Sequence, residues 1–83
     1  SKISGKESVQ VAAELDYLGQ VRLRQGRYVE AAALINHSIS IRTKVLGLNC
    51  IECVWSMEEL STVLERQGKL EEAEKLMRKA LSI

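Results

Sequence analysis

No proline occurs among the 83 residues, and no Ser/Gly-rich or low-complexity tract interrupts them. Nothing marks a linker or an interdomain boundary, and a chain of this length makes at most one small domain. Neither charge sign is in excess: 12 Lys and Arg face 11 Asp and Glu, a formal net charge of +1, with the signs interspersed. That leaves no electrostatic case for binding nucleic acid or an acidic membrane surface. No apolar run approaches the roughly 18 residues of a membrane span, so no membrane insertion is expected. Two cysteines do not make a disulfide framework, and a reducing compartment is the default expectation. There is no Gly-rich phosphate loop, nucleophile elbow or Ser/His/Asp constellation, so neither an enzyme nor a cofactor is expected. Paired acids such as Glu58-Glu59 and Glu71-Glu72 point about 100° apart on a helix and do not form an acid/base pair.

What the sequence does have is a repeat. Of the 41 pairs formed by each residue and the one 42 positions later, 12 are identical. Ordinary composition would give roughly 2–3. The identities include Leu18/Leu60, Val21/Val63, the run Arg24-Gln25-Gly26/Arg66-Gln67-Gly68, and Glu30-Ala31/Glu72-Ala73. Such a period signals a solenoid, in which no unit can bury its apolar face alone and neighbours must stack.

Within each period the pattern is helical. The first helix is expected from about Ser8 to Gln25, with Val11, Leu15, Leu18 and Val21 on one face. The second runs from about Tyr28 to Leu46, with Ala31, Leu34, Ile35, Ser38 and Ile39. The third runs from about Cys50 to Gln67, with Ile51, Val54, Met57, Leu60 and Leu64. The fourth runs from about Leu70 onward, with Ala73, Leu76, Met77, Ala80 and Leu81. Asn49 is the expected N-cap of the third helix, with Glu52 as its reciprocal partner. Glu71/Lys75 and Glu74/Arg78 have the spacing of helical ion pairs. Gly26 and Gly68 close the first and third helices, and turns this short make each pair antiparallel. Gly19, Ala31, Ser38, Ser61, Ala73 and Ala80 are small enough for close crossings. In the repeat frame residues 1–6 align with the tail of a second-type helix, 8–47 form one repeat and 50–83 a shortened second. The chain is therefore expected to be a piece of a longer array.

The segments Leu15-x2-Leu18-Gly19-x6-Gly26-x-Tyr28-x2-Ala31 and Leu60-x7-Gly68-x-Leu70-x2-Ala73 resemble the tetratricopeptide (TPR) repeat. The 42-residue period and the long second helix, ending Ile41-Arg42-x-Lys44-Val45-Leu46-Gly47, resemble the kinesin light chain type of TPR. The resemblance implies an all-α fold of antiparallel helix-turn-helix pairs stacked as a right-handed superhelix. It also implies a concave, ligand-facing side lined by the first helix of each pair. The matching residues are Ala13, Asp16, Tyr17, Gln20, Leu23 and Arg24, then Trp55, Glu58, Glu59, Thr62, Glu65 and Arg66. Their spacing, off the Leu15/Leu18 and Met57/Leu60 faces, agrees with that placement. Trp55 is the only tryptophan and the natural anchor.

Four carboxylates (Asp16, Glu58, Glu59, Glu65) stand against Arg24 and Arg66 on this face. Some TPRs hold a ligand's C-terminal carboxylate with Lys, Asn and Arg there. Asp16 and Glu58 leave no such clamp here. The expected partner is another protein, presenting basic or amide side chains and an apolar anchor on a helix or extended segment. A different class of role is self-association through Leu76, Met77, Ala80 and Leu81 on the last helix. The C-x-x-C of Cys50 and Cys53 lacks two further zinc ligands and a βαβ context for redox chemistry. Cys53 aligns with Val11 and belongs to the core, and His37 aligns with the surface residue Lys79.

Overall fold

The computed structural model describes residues 8–47 and 50–82. Four helices follow one another: α1 (Val9–Arg24), α2 (Tyr28–Leu46), α3 (Ile51–Arg66) and α4 (Leu70–Leu81). No strand occurs among the described residues. Residues 1–6, Asn49 and Ile83 lie outside them, and with them the expected preceding helix tail.

The 42-residue register holds down to the caps. Ser8 and Cys50, equivalent in the repeat, are both N-caps, and each side chain accepts from the backbone N–H three residues on, Val11 and Cys53, at 3.1 Å. The N-cap of α3 is therefore Cys50, one residue beyond the expected Asn49. At the other end, Arg27 N–H donates to Arg22 O at 2.9 Å and Lys69 N–H to Leu64 O at 2.8 Å. These six-to-one closures need a left-handed residue, which Gly26 (φ 79°) and Gly68 (φ 81°) supply without the cost a Cβ would bring. The turns are tight, so α1 lies antiparallel on α2 and α3 on α4, and α3 also packs on α2.

Small residues set how closely the helices approach. Gly19, Ala31, Ser38, Ser61, Ala73 and Ala80 are all buried. A Cβ on Gly19 would stand 2.7 Å from Ile35 Cγ1, so α1 meets α2 nearly backbone to side chain. At the equivalent place in the second pair, the Ser61 hydroxyl donates to Ala73 O at 3.2 Å. The core is shared between pairs. Ala31 and Ile35 of α2 pack with Leu60 and Val63 of α3, and Cys53 and Met57 of α3 pack with Ala80 of α4. Ile39 and Leu76 join the two clusters. Burying the larger of these, Ile35, Leu60, Val63 and Met57, contributes about 1.5–3 kcal/mol each.

Three expectations about side-chain placement change. On α1 the fully buried line runs through Ala12 and Gly19, while Leu18 keeps 41% of its surface. The small residues admit α2, so the larger ones flank the contact. Ile51 and Leu81, expected on core faces, are exposed at the open end of the second pair, where α3 begins and α4 ends. Of the two helical ion pairs, Glu74 accepts from Arg78 Nη2 at 2.8 Å, whereas Glu71 and Lys75 do not pair.

Candidate functional site

Residues of α1 and α3 line one cleft. Gln20, Leu23 and Arg24 form its α1 wall, Glu59 and Thr62 its α3 wall, and Ile35 of α2 lies at its base, around a volume of about 200 Å³. All five wall residues were expected to face a common groove. Gln20 Nε2 donates to Glu59 Oε2, so the walls are tied across the cleft. On α3, Trp55, Glu59, Thr62 and Arg66 recur at i, i+4, i+7 and i+11 and form one stripe. Trp55 is 56% exposed at one end of it. Arg66, at the other, borders a shallow depression with Gly26, Tyr28 and Glu30. Tyr17 is 65% exposed, and Ala13, Glu58 and Glu65 are exposed too. None of these four lines the cleft, and neither do Trp55 and Arg66.

Asp16 departs from the expected arrangement. Instead of presenting a free carboxylate to the groove, it turns into the helix packing. Its Oδ2 accepts from Arg42 Nη2 at 2.8 Å and from Ser56 Oγ at 3.0 Å. Arg42 Nε in turn donates to Ser38 Oγ at 3.3 Å. The side chains of Arg42 and Asp16 keep 8% and 15% of their surface. This network joins α1, α2 and α3. Arg42 and Ser56 were not foreseen as site residues. The clue available was that Arg42 continues the Ser38 face of α2 one turn on, a face otherwise small and apolar.

Electrostatics follow from this. Arg42 neutralises Asp16, so the accessible acidity rests on Glu58 and Glu65. Burial pushes the Glu59 carboxyl above its ordinary range and the nearby Asp16 adds to this, while the Gln20 hydrogen bond and Arg42 oppose it. Asp16 Oδ1 and Glu59 Oε1 are buried without a hydrogen-bond donor. Of the two, Glu59 lines the cleft, on its α3 wall, and Asp16 does not.

A family model for the tetratricopeptide repeat matches residues 10–83. The chain belongs to the tetratricopeptide repeat family. It is all-α, with its helix pairs stacked as TPRs stack. TPRs are generally non-catalytic modules for binding other proteins. A comparison with curated proteins gives no match. No helix among the described residues is long and apolar enough to cross a membrane.

The cysteines of this TPR pair lie at the start of α3. Cys50 and Cys53 are joined as a disulfide, with Cα atoms 5.3 Å apart. The two cysteines are only three positions apart, so the link constrains the unfolded chain little and acts locally at the start of α3. Cys53 is fully buried beside Met57, as its alignment with Val11 implied. His37 is exposed, and among the described residues no group of three metal-ligating side chains gathers.

Proposed function

We propose that the chain is a non-catalytic adaptor whose α1–α3 cleft binds a helix or extended segment of a partner protein. Residues 8–47 and 50–83 are its two repeats, of the kinesin light chain-like type. The 42-residue period and the 19-residue α2 support that type. The observation that carries the binding site is Trp55, a large aromatic 56% exposed on the same stripe of α3 as the wall residues Glu59 and Thr62. An exposed indole with no core to fill is the residue type most enriched among the hot spots of interfaces. Glu58 and Glu65 outside the cleft, and the Glu59 carboxyl on its wall, favour a partner with amide or basic side chains around an apolar anchor.

The test is a crosslinking pull-down with the chain and a Trp55→Ala/Glu58→Lys variant. Both residues are exposed, so the variant should fold as the parent does, with stability changed by less than about 0.5 kcal/mol. Selective loss of a partner supports the cleft. Recovery of the same proteins by both versions refutes it. Asp16 is not a useful position for this test, because reversing its charge would break the buried pair with Arg42.

A second reading has its own observation. Of the residues expected at the end face, Ala80 is buried and Leu76 and Met77 are half-buried, while Leu81 is 79% exposed, and Leu70, at the start of α4, is 66% exposed. If Leu70 and Leu81 cover one another between copies, the chain self-associates. Concentration-dependent mass abolished by Leu81→Glu, and untouched by Trp55→Ala, is the expected outcome of that reading.

A further inference from the structure

A second groove runs between α2 and α4, on a different flank of α3 from the cleft, and encloses about 570 Å³. Its floor is apolar, made by Leu60 and Leu64 of α3 and Leu76 of α4. The α2 wall is uncharged, with Val29 and Ala32 at i and i+3. The α4 wall is basic: Lys69, Lys75 and Lys79 line it against a single Glu72. Among the described residues none of these three lysines makes an ion pair. The helical pair that would have neutralised Lys75 does not form. At the turn end of the floor, Gln67 Oε1 is buried without a donor.

We propose that this groove docks an acidic amphipathic helix of a partner protein. An apolar stripe at i, i+4 and i+7 would lie on Leu60, Leu64 and Leu76. Carboxylates along one flank only would meet Lys69, Lys75 and Lys79. The outer lysines stand ten positions apart, a rise of about 15 Å, so the groove takes roughly three turns of helix. The charge is on one wall, so it also fixes which way the helix is rolled. This chemistry is opposite to that of the α1–α3 cleft, so the two surfaces select different partners.

The probe is a fluorescein-labelled peptide with leucines at i, i+4, i+7 and i+11 and glutamates on one flank, followed by anisotropy against the 83-residue chain. Its counterpart carries lysines in place of the glutamates. The acidic peptide should bind, more weakly as salt is raised. Lys75→Glu/Lys79→Glu, checked for helicity by circular dichroism, should weaken it about tenfold or more and improve binding of the lysine peptide. Trp55→Ala/Glu58→Lys should leave the acidic peptide's affinity within about twofold. No binding, equal binding to Lys75→Glu/Lys79→Glu, or loss of binding in the cleft variant would each overturn the proposal. So would a dimer of the chain that Lys75→Glu/Lys79→Glu dissolves, since the occupant would then be a second copy.

Discussion

Replacing Arg42 with Met removes the positive member of a charge pair that holds three helices together. The guanidinium meets Asp16 Oδ2 at 2.8 Å, with 8% and 15% of the two side chains exposed. Without Arg42 the Asp16 carboxylate keeps one neutral donor, the Ser56 hydroxyl, and its Oδ1 already has none. Orphaning a buried charge in this way costs about 3–5 kcal/mol. The 15% of Asp16 still open to water and the Ser56 hydrogen bond argue for the lower end, about 3 kcal/mol. A chain of this size has roughly 4–12 kcal/mol of stability in all, so the loss is a large share. Urea denaturation followed by far-UV circular dichroism should show the midpoint falling by roughly 1.5 M, for a slope of about 2 kcal/mol per M. The decisive comparison is the double variant Arg42→Met/Asp16→Leu. It removes both charges together with their desolvation cost, and it should return to within about 1 kcal/mol of the parent. A loss below about 1 kcal/mol in the single variant would mean that the pair is screened like a surface bridge. A double variant no better than the single one would mean that Arg42 acts through packing and not through Asp16.

The same helix contacts carry two further predictions. Gly19→Ala should destabilise by about 1–2 kcal/mol, because overpacking against Ile35 outweighs the gain of about 1 kcal/mol in helix propensity. In an Ile35→Ala background, with the 2.7 Å clash gone, the same change should stabilise; an unchanged cost there would refute the steric account. Glu59→Gln tests the raised carboxyl. The folded chain holds that proton more tightly than the unfolded one. Stability therefore falls as pH rises from the unfolded value near 4.5 through the folded one. The amide that replaces Glu59 has no such proton to lose, so the variant should gain on the parent across that window and hold a constant advantage above it. Urea melts below and above the window would refute the assignment if the difference did not change.

Much of this protein was legible in its sequence. Four helices, their antiparallel pairing and the positions of both turns follow from a 42-residue register that the backbone repeats down to Ser8/Cys50 and Gly26/Gly68. The small residues at the crossings follow too, because only they allow such close approach. The cleft residues Gln20, Glu59 and Thr62 were readable because first-helix positions off the core face must line the same side of stacked pairs.

Other features were decided only by tertiary packing. Asp16 and Glu58 are equivalent in the repeat, yet one is held against Arg42 and the other is solvated. Spacing along a helix says which face a side chain leaves from, but not what a neighbouring helix brings to meet it. Arg42 reaches Asp16 from 26 positions away, across the α1–α2 contact. Lys75 looked paired with Glu71 by helical spacing, but it lines the α2–α4 groove without an ion pair. That groove has no one-dimensional signature: its walls and floor come from three helices. The local periods were set by chain geometry, and the chemistry of both surfaces by which helices came to lie side by side.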